Sequence, residues 1–211
     1  MNFWETIETR KTIRKYKETM PSDEDIKKIA NAGRLAPSAT NSQNWKFIAI
    51  KNKNIMEQMK DAILAKYDEL LKKHSTNEEF VQKADYYKAY STFFVNAPVV
   101  FAIVEQTRNS IITEILEKDG INGFELKAMR PDSSLLSMGA AIENMSLAAH
   151  NLGYGTCWMA APIIAGMDFI KILKLDEGEK VCSLLTLGEP FSDVYQSPPK
   201  KTLDEVLEII D

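Results

Sequence analysis

The sequence predicts an α+β fold in which a mixed, mostly antiparallel central sheet is flanked by helices. Segments with helical spacing of apolar residues come first, and short β-branched or aromatic runs then follow, scattered among further helices. The run from Pro98 to Val104 is continuously apolar, which is typical of a strand covered on both faces. No repeat, low-complexity tract or linker divides the 211 residues, so one domain over residues 1–211 is expected.

In the first half of the chain, apolar spacing and capping residues predict four helices and one strand. Ser22 is a natural N-cap, because the acidic residues that follow it suit the positive end of a helix. That helix is expected to stop before Pro37, since the residue preceding a proline disfavours helical backbone. The other predicted elements are helices over 2–9, 52–74 and 77–90 and a strand over 45–50.

In the second half, the clearest element is a helix over 133–152 that ends at Gly153, a residue suited to the left-handed C′ position. Strands are expected over 155–159 and 181–187, with a short helix around 168–175 between them. Residues 105–134 contain both polar and apolar residues together with turn signals, and no secondary structure is predicted for them. A last helix is expected to start at Thr202, where Glu205 completes a capping box.

The helix over 133–152 also bears on assembly. It is rich in glycine and alanine, and such small residues let another backbone approach closely. A helix of this composition needs another surface packed against it, and a second copy of the chain in a homodimer is the simplest candidate.

Composition excludes several classes of function. The formal net charge of −4 lacks the positive field that drives nonspecific binding to nucleic acids or membrane surfaces, so neither partner is expected. Cys157 and Cys182 each lie in an apolar run and are expected to be reduced core residues. His74 and His150 have no partners at metal-binding spacing, so no metal site is expected. With no signal peptide and no apolar run long enough to span a bilayer, a cytoplasmic location is expected.

Four polar segments are candidates for chemistry. One is Gly-Glu-Pro at 188–190 with the lysines at 200–201, which could add charge to an anion site but alone would more often be solvated. Residues 10–14 (Arg-Lys-Thr-Ile-Arg) offer planar guanidinium forks and a hydroxyl that suit phosphate, although such a run is also compatible with a solvated surface. Residues 36–45 form a polar loop before a strand, where short amides and hydroxyls can bind the edge of a heterocycle. Residues 153–162 contain a Gly-x-Gly that exposes backbone groups but does not match the dinucleotide-binding fingerprint.

The motifs of protein-based catalysis are missing. The sequence has no phosphate-binding Walker loop, no nucleophile elbow and no convincing Ser/His/Asp or Cys/His set. A site rich in hydrogen-bonding groups and local cations, yet without a nucleophile or metal, suits a bound cofactor that carries the chemistry.

Taken together, four segments resemble the nitroreductase family of FMN-dependent oxidoreductases. Residues 10–14 are similar to the family's Arg-Arg-Ser-x-Arg entry, and residues 36–45 are similar to its Ala-Pro-Ser-x-x-Asn-x-Gln-Pro-Trp loop. The alanine-rich helix leading into residues 153–158 and the terminal Gly-Glu-Pro at 188–190, followed by lysines at 200–201, keep the family's order and spacing. Four segments in register favour the phosphate interpretation of residues 10–14 over the solvated-surface one.

The resemblance implies a homodimer with two FMN sites at the subunit interface, each lined by both chains. Arg10, Lys11 and Thr12 are expected to hold the phosphate and ribityl chain, with help from Lys200. Arg14 is expected at the N1–C2=O edge of the flavin, where a cation stabilises the negative charge of the reduced ring.

Further contacts follow from the same resemblance. The partner chain is expected to contribute hydroxyl and amide side chains of the polar loop, namely Ser38, Asn41 and Gln43. Backbone near flavin N5 is expected from Ala160, Ala165 and Gly166.

The sequence departs from the family pattern at a few positions. Lys11 and Thr12 replace the commoner arginine and serine but keep donor chemistry. Asn44 stands where proline is usual, so a less rigid loop is expected, and Lys200 replaces an arginine, which weakens bidentate contact with phosphate.

The implied activity is a ping-pong reaction in which NAD(P)H reduces FMN and a nitroaromatic, quinone or similar acceptor then reoxidises it. No side-chain acid or base is required, so no catalytic residue is assigned. Residues 105–134, particularly Phe124, are expected to form a mobile cover over the acceptor. Open alternatives are dehalogenation, flavin fragmentation or enone reduction on the same fold, a non-catalytic flavin-binding or redox-sensing protein, and a structural dimer.

Overall fold

The computed structural model describes residues 1–107, 110–192 and 198–210, and it confirms the α+β class. A four-stranded sheet lies between two layers of helices. The strands are β1 (Trp45–Ile50), β2 (Val99–Gln106), β3 (Gly155–Met159) and β4 (Glu179–Gly188). The helices in the described residues are α1 (Phe3–Thr9), α2 (Asp23–Arg34), α3 (Lys53–Lys73), α4 (Glu78–Thr92), α5 (Ile111–Lys118), α6 (Gly123–Met129), α7 (Ser133–Asn151) and α8 (Gly166–Ile172).

The strands lie in the order β1-β2-β4-β3, and each neighbouring pair is antiparallel. A parallel contact is added at the outer edge of β3, where Thr12 forms a bridge with Thr156 and the Ile13 N–H donates to the Thr156 carbonyl at 2.9 Å. The N-terminal segment is therefore attached to the sheet directly after β3 in the strand order.

The central strand β2 is buried on both faces, as the continuous apolar run predicts. Because side chains alternate along a strand, Val99, Phe101 and Ile103 pack in the core cluster beneath α2 and α7. The intervening residues of β2 pack in a second cluster, beneath α3, α4 and α8.

Most predicted helix boundaries are confirmed because local capping chemistry sets them. Asn2, Ser22, Asn52, Asn77 and Asp132 all act as N-caps whose side chains accept backbone N–H bonds. Gly153 follows α7 with a φ of 86°, and its N–H donates to the His150 carbonyl at 3.0 Å. The unassigned segment 105–134 forms α5 and α6 in its described part, while residues 108 and 109 lie outside the described residues.

Two predicted helices differ from the structure. The one expected over 168–175 begins at Gly166 and ends at Ile172, because Lys174 adopts left-handed backbone with φ 53°. The helix expected from Thr202 is only a 3-10 turn, Leu203–Glu205. Thr202 N–H does donate to Glu205 Oε2 at 2.8 Å. The turn does not extend into a helix, and the apolar side chains after it are exposed, so little packing is available to stabilise one in the single chain.

Two kinds of feature are absent from the described residues. No helix there combines the length and apolarity needed to cross a membrane. No group of three or more His, Cys, Asp or Glu side chains in the same residues is arranged to hold a metal ion.

Candidate functional site

The cationic N-terminal segment is fixed along the outer edge of β3. Arg10 is the C-cap of α1, and its N–H donates to the Thr6 carbonyl at 3.1 Å before the chain becomes extended. Ile13 is then buried, and because side chains alternate in extended backbone, its neighbours Thr12 and Arg14 are exposed. The local fold thus presents the predicted phosphate-binding side chains outward from a rigid strand edge.

This attachment requires a glycine in β3. A Cβ built on Gly155 would lie 2.5 Å from Ile13 Cγ1 and 2.6 Å from Ile13 Cβ, which is far inside contact distance. The sequence suggested that the Gly-x-Gly serves unusual backbone conformations, and that holds for Gly153. Gly155 has a different role, which is to let the N-terminal segment approach the sheet.

A buried hydroxyl network holds the far end of the segment. The Tyr16 hydroxyl lies 2.6 Å from Thr186 Oγ1, and Thr186 is fully buried on β4. The same Thr186 oxygen accepts from the Cys157 N–H at 3.0 Å. Lys17 N–H donates to the Glu189 carbonyl at 2.9 Å, so the segment is tied to both β3 and β4 and to the chain after β4.

Helix α7 contacts the start of the same segment through two polar residues. Arg10 Nε lies 3.2 Å from Glu143 Oε1, and Thr9 Oγ1 lies 2.8 Å from His150 Nε2. Burial, and then the positive charge of Arg10, lower the pKa of His150, so its neutral form predominates at pH 7. Glu143 and His150 are two turns apart on α7 and contact consecutive residues at the end of α1.

Arg14 lies close to Cys157, as their interaction shows. Burial raises the pKa of the Cys157 thiol, and the charge and hydrogen bonding of Arg14 oppose that rise. The pKa of Cys182 is raised to about 12, by burial first and then by the Glu105 carboxylate. Both thiols are free and protonated at neutral pH, so neither is suited to nucleophilic attack.

The polar loop before β1 has a strained backbone. Thr40, Asn41 and Gln43 adopt left-handed conformations with φ of 54°, 52° and 46°. Such conformations are uncommon outside glycine and persist only where surrounding bonds fix them. Here Gln43 N–H donates to Ser38 Oγ at 3.0 Å, and Gln43 Nε2 donates to Asn41 Oδ1 at 3.1 Å.

The expectation that Asn44 makes this loop less rigid is wrong. Asn44 is buried, and its Nδ2 donates to Ser134 Oγ at 2.6 Å and to the Gln106 carbonyl at 3.3 Å. Ala39 N–H also donates to Ser137 Oγ at 3.1 Å. The loop is therefore fastened to the first turns of α7 and to the end of β2 by an amide that a proline cannot replace.

The backbone predicted to face the flavin follows β3 directly. Ala160 is exposed, a 3-10 turn over Ala161–Ala165 comes next, and α8 starts at Gly166. Ala165 is buried and Gly166 is half-buried. This turn therefore begins at the end of the strand along which the Arg14 segment runs.

The structure brings together some of the predicted site residues and not others. The side chains of Arg10, Lys11, Thr12 and Arg14 follow the β3 edge, and Ala160 comes directly after β3. Ala165 lies in the core and Gly166 begins α8, so neither is placed at that edge. In the described chain, the hydrogen bonds of Ser38, Asn41 and Gln43 connect residues of the same loop, and none reaches Arg10 or Arg14. Lys200 is exposed, and Ser197, at the start of its segment, lies outside the described residues.

Sequence reasoning missed the residues that hold this segment in place, namely Glu143, His150, Tyr16 and Thr186. Only Glu143 had a visible signal, since it is the single acidic residue in α7, a helix otherwise made of small, apolar and neutral polar residues and one histidine. The hydroxyl pair of Tyr16 and Thr186 joins positions remote in sequence, and nothing in their neighbours marks it.

An apolar concavity of about 390 Å³ lies on the surface between α1, α2 and α7. Its lining includes Phe3, Ile7, Leu35 and Leu147. Phe3, Ile7 and Leu35 are exposed in the single chain, although apolar residues at helical spacing normally face a core.

Comparison with known proteins places these features in a family. The model of the family described as the Nitroreductase family matches residues 7–189. A protein from Archaeoglobus fulgidus with the provisional name NADH dehydrogenase/NAD(P)H nitroreductase is 26% identical over 204 residues, covering 95% of this chain and 93% of its own length. An iodotyrosine deiodinase from Hydra vulgaris is 27% identical over 213 residues, covering 98% of this chain and 72% of its own.

Solved structures agree with that assignment. A BluB-like flavoprotein from Clostridium difficile 630 is 32% identical, with a TM-score of 0.88 and full coverage of both chains. A nitroreductase with bound FMN from Desulfitobacterium hafniense DCB-2 has a TM-score of 0.72 over the full length of both chains, and at 22% identity it supports the fold.

Proposed function

The chain belongs to the nitroreductase family, and from this premise we propose that it is an FMN-dependent oxidoreductase that uses NAD(P)H to reduce small electron-poor acceptors such as nitroaromatics or quinones. The observation that carries the proposal is the Arg10–Arg14 segment, which is fixed along β3 with Lys11 and Arg14 exposed and Arg10 half-buried. Relatives and structural neighbours whose names include NAD(P)H nitroreductase, flavoprotein and bound FMN support the cofactor and the donor.

The donor set of the segment fits FMN. A phosphate needs charge-assisted donors, which Arg10 and Lys11 supply, and the Thr12 hydroxyl adds a compact donor for phosphate or ribityl oxygens. A flat ring needs accessible backbone groups, and Ala160 provides them where β3 ends. The role of Arg14 follows from its place beside β3, from which a fixed guanidinium can stabilise negative charge on a reduced ring.

Bound FMN supplies a two-electron carrier that accepts hydride from NAD(P)H and delivers it to the acceptor. The chain's own residues would bind and orient the FMN and adjust the electrostatic environment of its ring. Arg10, Lys11 and Thr12, with Lys200, would hold the phosphorylated tail, and the backbone at Ala160, Ala165 and Gly166 would face the ring. Since donor and acceptor need the same open face, they bind in turn, which is a ping-pong order.

We propose a homodimer in which each site is lined by both chains. The outward face of α7 presents the exposed Leu136 beside the small Gly139, and the neighbouring Trp158 is also half-exposed. The C-terminal segment adds further exposed apolar side chains, at Leu203, Val206, Leu207, Ile209 and Ile210. A second copy is the occupant that buries these surfaces, and it brings Ser38, Asn41 and Gln43 to the cationic segment of the first.

The α5–α6 segment suits the role of acceptor cover. Phe124 is 87% exposed, and Ile111 and Ile112 are also exposed on α5. Gly120 takes positive φ between the two helices, and Gly123 does so as the first residue of α6. We expect this segment to determine which acceptor fits.

Dehalogenation is a second candidate activity on the same scaffold, favoured by the similarity to an iodotyrosine deiodinase over nearly the whole chain. It requires the same flavin site and differs in the acceptor. An acceptor panel with nitroaromatics, quinones, enones and halogenated phenols therefore separates the candidates.

Spectroscopy tests the core of the proposal. We expect purified protein to show flavin absorbance, and NADH or NADPH to bleach it in a stopped-flow experiment before any acceptor is added. Absorbance without turnover of any acceptor would indicate a flavin-binding or sensing protein. Colourless protein that ignores added FMN would indicate a structural dimer and end the proposal.

Subunit complementation tests the shared site. Arg14→Ala and Gln43→Ala chains should each bind FMN weakly as homodimers. Mixed dimers carry one site that lacks both residues and one intact site, so refolding an equal mixture should restore about one quarter of the sites. No restoration would show that both residues serve one site from one chain.

The location is also part of the proposal. Both cysteines are free thiols, which fits the reducing cytoplasm where NAD(P)H is available.

A further inference from the structure

We propose that Glu143 is a positioning residue that orients Arg10 toward the cofactor phosphate. This inference rests on the proposed function, because it assigns a role to Arg10 in FMN binding. It adds Glu143, a residue of α7 to which the resemblance assigns no role, to the machinery of the site.

The geometry of the ion pair supports this role. Glu143 Oε1 contacts Nε of Arg10 at 3.2 Å. A guanidinium presents five donors in a planar fork. A carboxylate at Nε therefore leaves the edge formed by the two terminal nitrogens available to another ligand. That edge can bind two phosphate oxygens at once, and a guanidinium already held on its other side loses less freedom when it does so.

Helix α7 is a rigid base for this contact. Its inward residues Met138, Ala141, Ile142 and Met145 are almost completely buried in the core beneath the sheet. The same helix holds the residue before Arg10, since His150 Nε2 lies 2.8 Å from Thr9 Oγ1. The backbone of Arg10 is fixed as the C-cap of α1, so both ends of its side chain are placed by packed elements.

An alternative role for Glu143 is competition with the phosphate for Arg10. The Glu143 side chain is 48% exposed and the Arg10 side chain 24% exposed, so solvent screens the pair and its loss should barely affect stability. The two roles predict opposite effects on FMN affinity. Glutamine keeps an oxygen that can contact Nε but carries no charge, whereas alanine removes the contact altogether. Comparing the two variants therefore separates the orienting effect of the contact from the effect of the charge.

The experiment titrates cofactor-free protein with FMN and, in parallel, with riboflavin, which has the same ring and ribityl chain but no phosphate. We expect Glu143→Ala to weaken FMN binding about five- to tenfold while riboflavin binding stays unchanged. Glu143→Gln should stay within about twofold of the wild type for both ligands. The matched control is Glu57→Gln, which removes an exposed carboxylate 2.8 Å from Lys60 on α3 and should change neither affinity.

Several outcomes would overturn the inference. Equal losses for FMN and riboflavin in Glu143→Ala would indicate general disruption, and tighter FMN binding would indicate competition with phosphate. A Glu143→Gln variant as weak as Glu143→Ala would show that the charge of the carboxylate, and not the position of its oxygen, matters. Wild-type protein that binds neither flavin would instead refute the proposed function itself, and the inference with it.

Discussion

Replacing Thr186 with valine tests how the cationic segment is attached to the sheet. Valine has nearly the shape of threonine, so Thr186→Val removes the hydroxyl without opening a cavity. The Thr186 oxygen is fully buried, lies 2.6 Å from the Tyr16 hydroxyl and accepts from the Cys157 N–H at 3.0 Å. Each such bond contributes about 0.5–1.5 kcal/mol net, so the free energy of unfolding should fall by about 1–3 kcal/mol.

The assay is thermal and urea unfolding of wild type and variant. For a chain of this size, a loss of about 2 kcal/mol corresponds to a fall in Tm of about 4–8 °C, with an unchanged urea m-value. Tyr16→Phe removes the other half of the pair, so the double variant should lose less than the sum of the two single variants. A variant as stable as wild type, or strictly additive losses, would refute the attachment.

Three further predictions test packing, assembly and electrostatics. Gly155→Ala places a Cβ 2.5 Å from Ile13 Cγ1, so unfolding experiments should show a loss of about 1–3 kcal/mol and titration should show weaker FMN binding; unchanged Tm and affinity would contradict this packing. Removing residues 203–211 should convert dimers to monomers in light scattering, whereas an unchanged mass would show that the tail is not needed for assembly. The pKa of Glu179 is lowered from its ordinary value of 4.5, chiefly by the hydrogen bond that Lys46 donates to the carboxylate. The ionised carboxylate therefore stabilises the fold above pH 4.5, and this stabilisation is lost as the pH falls through the lowered pKa. Below about pH 4.5, wild-type Tm should therefore fall more steeply than that of Glu179→Gln, and parallel curves would contradict the assignment.

Features governed by neighbouring residues could be predicted from the sequence. Ser22 and Asn52 cap their helices with their own side chains, so the signal and the structure lie within one turn. The continuous apolar run at 98–104 gave the doubly covered central strand for the same reason. Thr202 shows the limit of local signals, because its capping pair forms but the apolar residues after it remain exposed in the single chain and no helix follows.

The motifs located the candidate site, but the contacts that shape it depend on distant residues. Arg10 and Glu143 meet only because α1 ends against α7, and Asn44 fastens its loop only because Ser134 lies across from it. Gly155 could be noticed in sequence, but its purpose depends on Ile13, which packs against it from far away in the chain. Spacing within a motif carries no information on such contacts.

A crystal structure of the protein with FMN would show whether the cationic segment and both chains form the binding site. We expect a dimer in which the phosphate contacts Arg10 and Thr12 of one chain and the ligand also contacts Ser38 or Gln43 of the other. A flavin bound away from the β3 edge, or one contacted by a single chain, would contradict it.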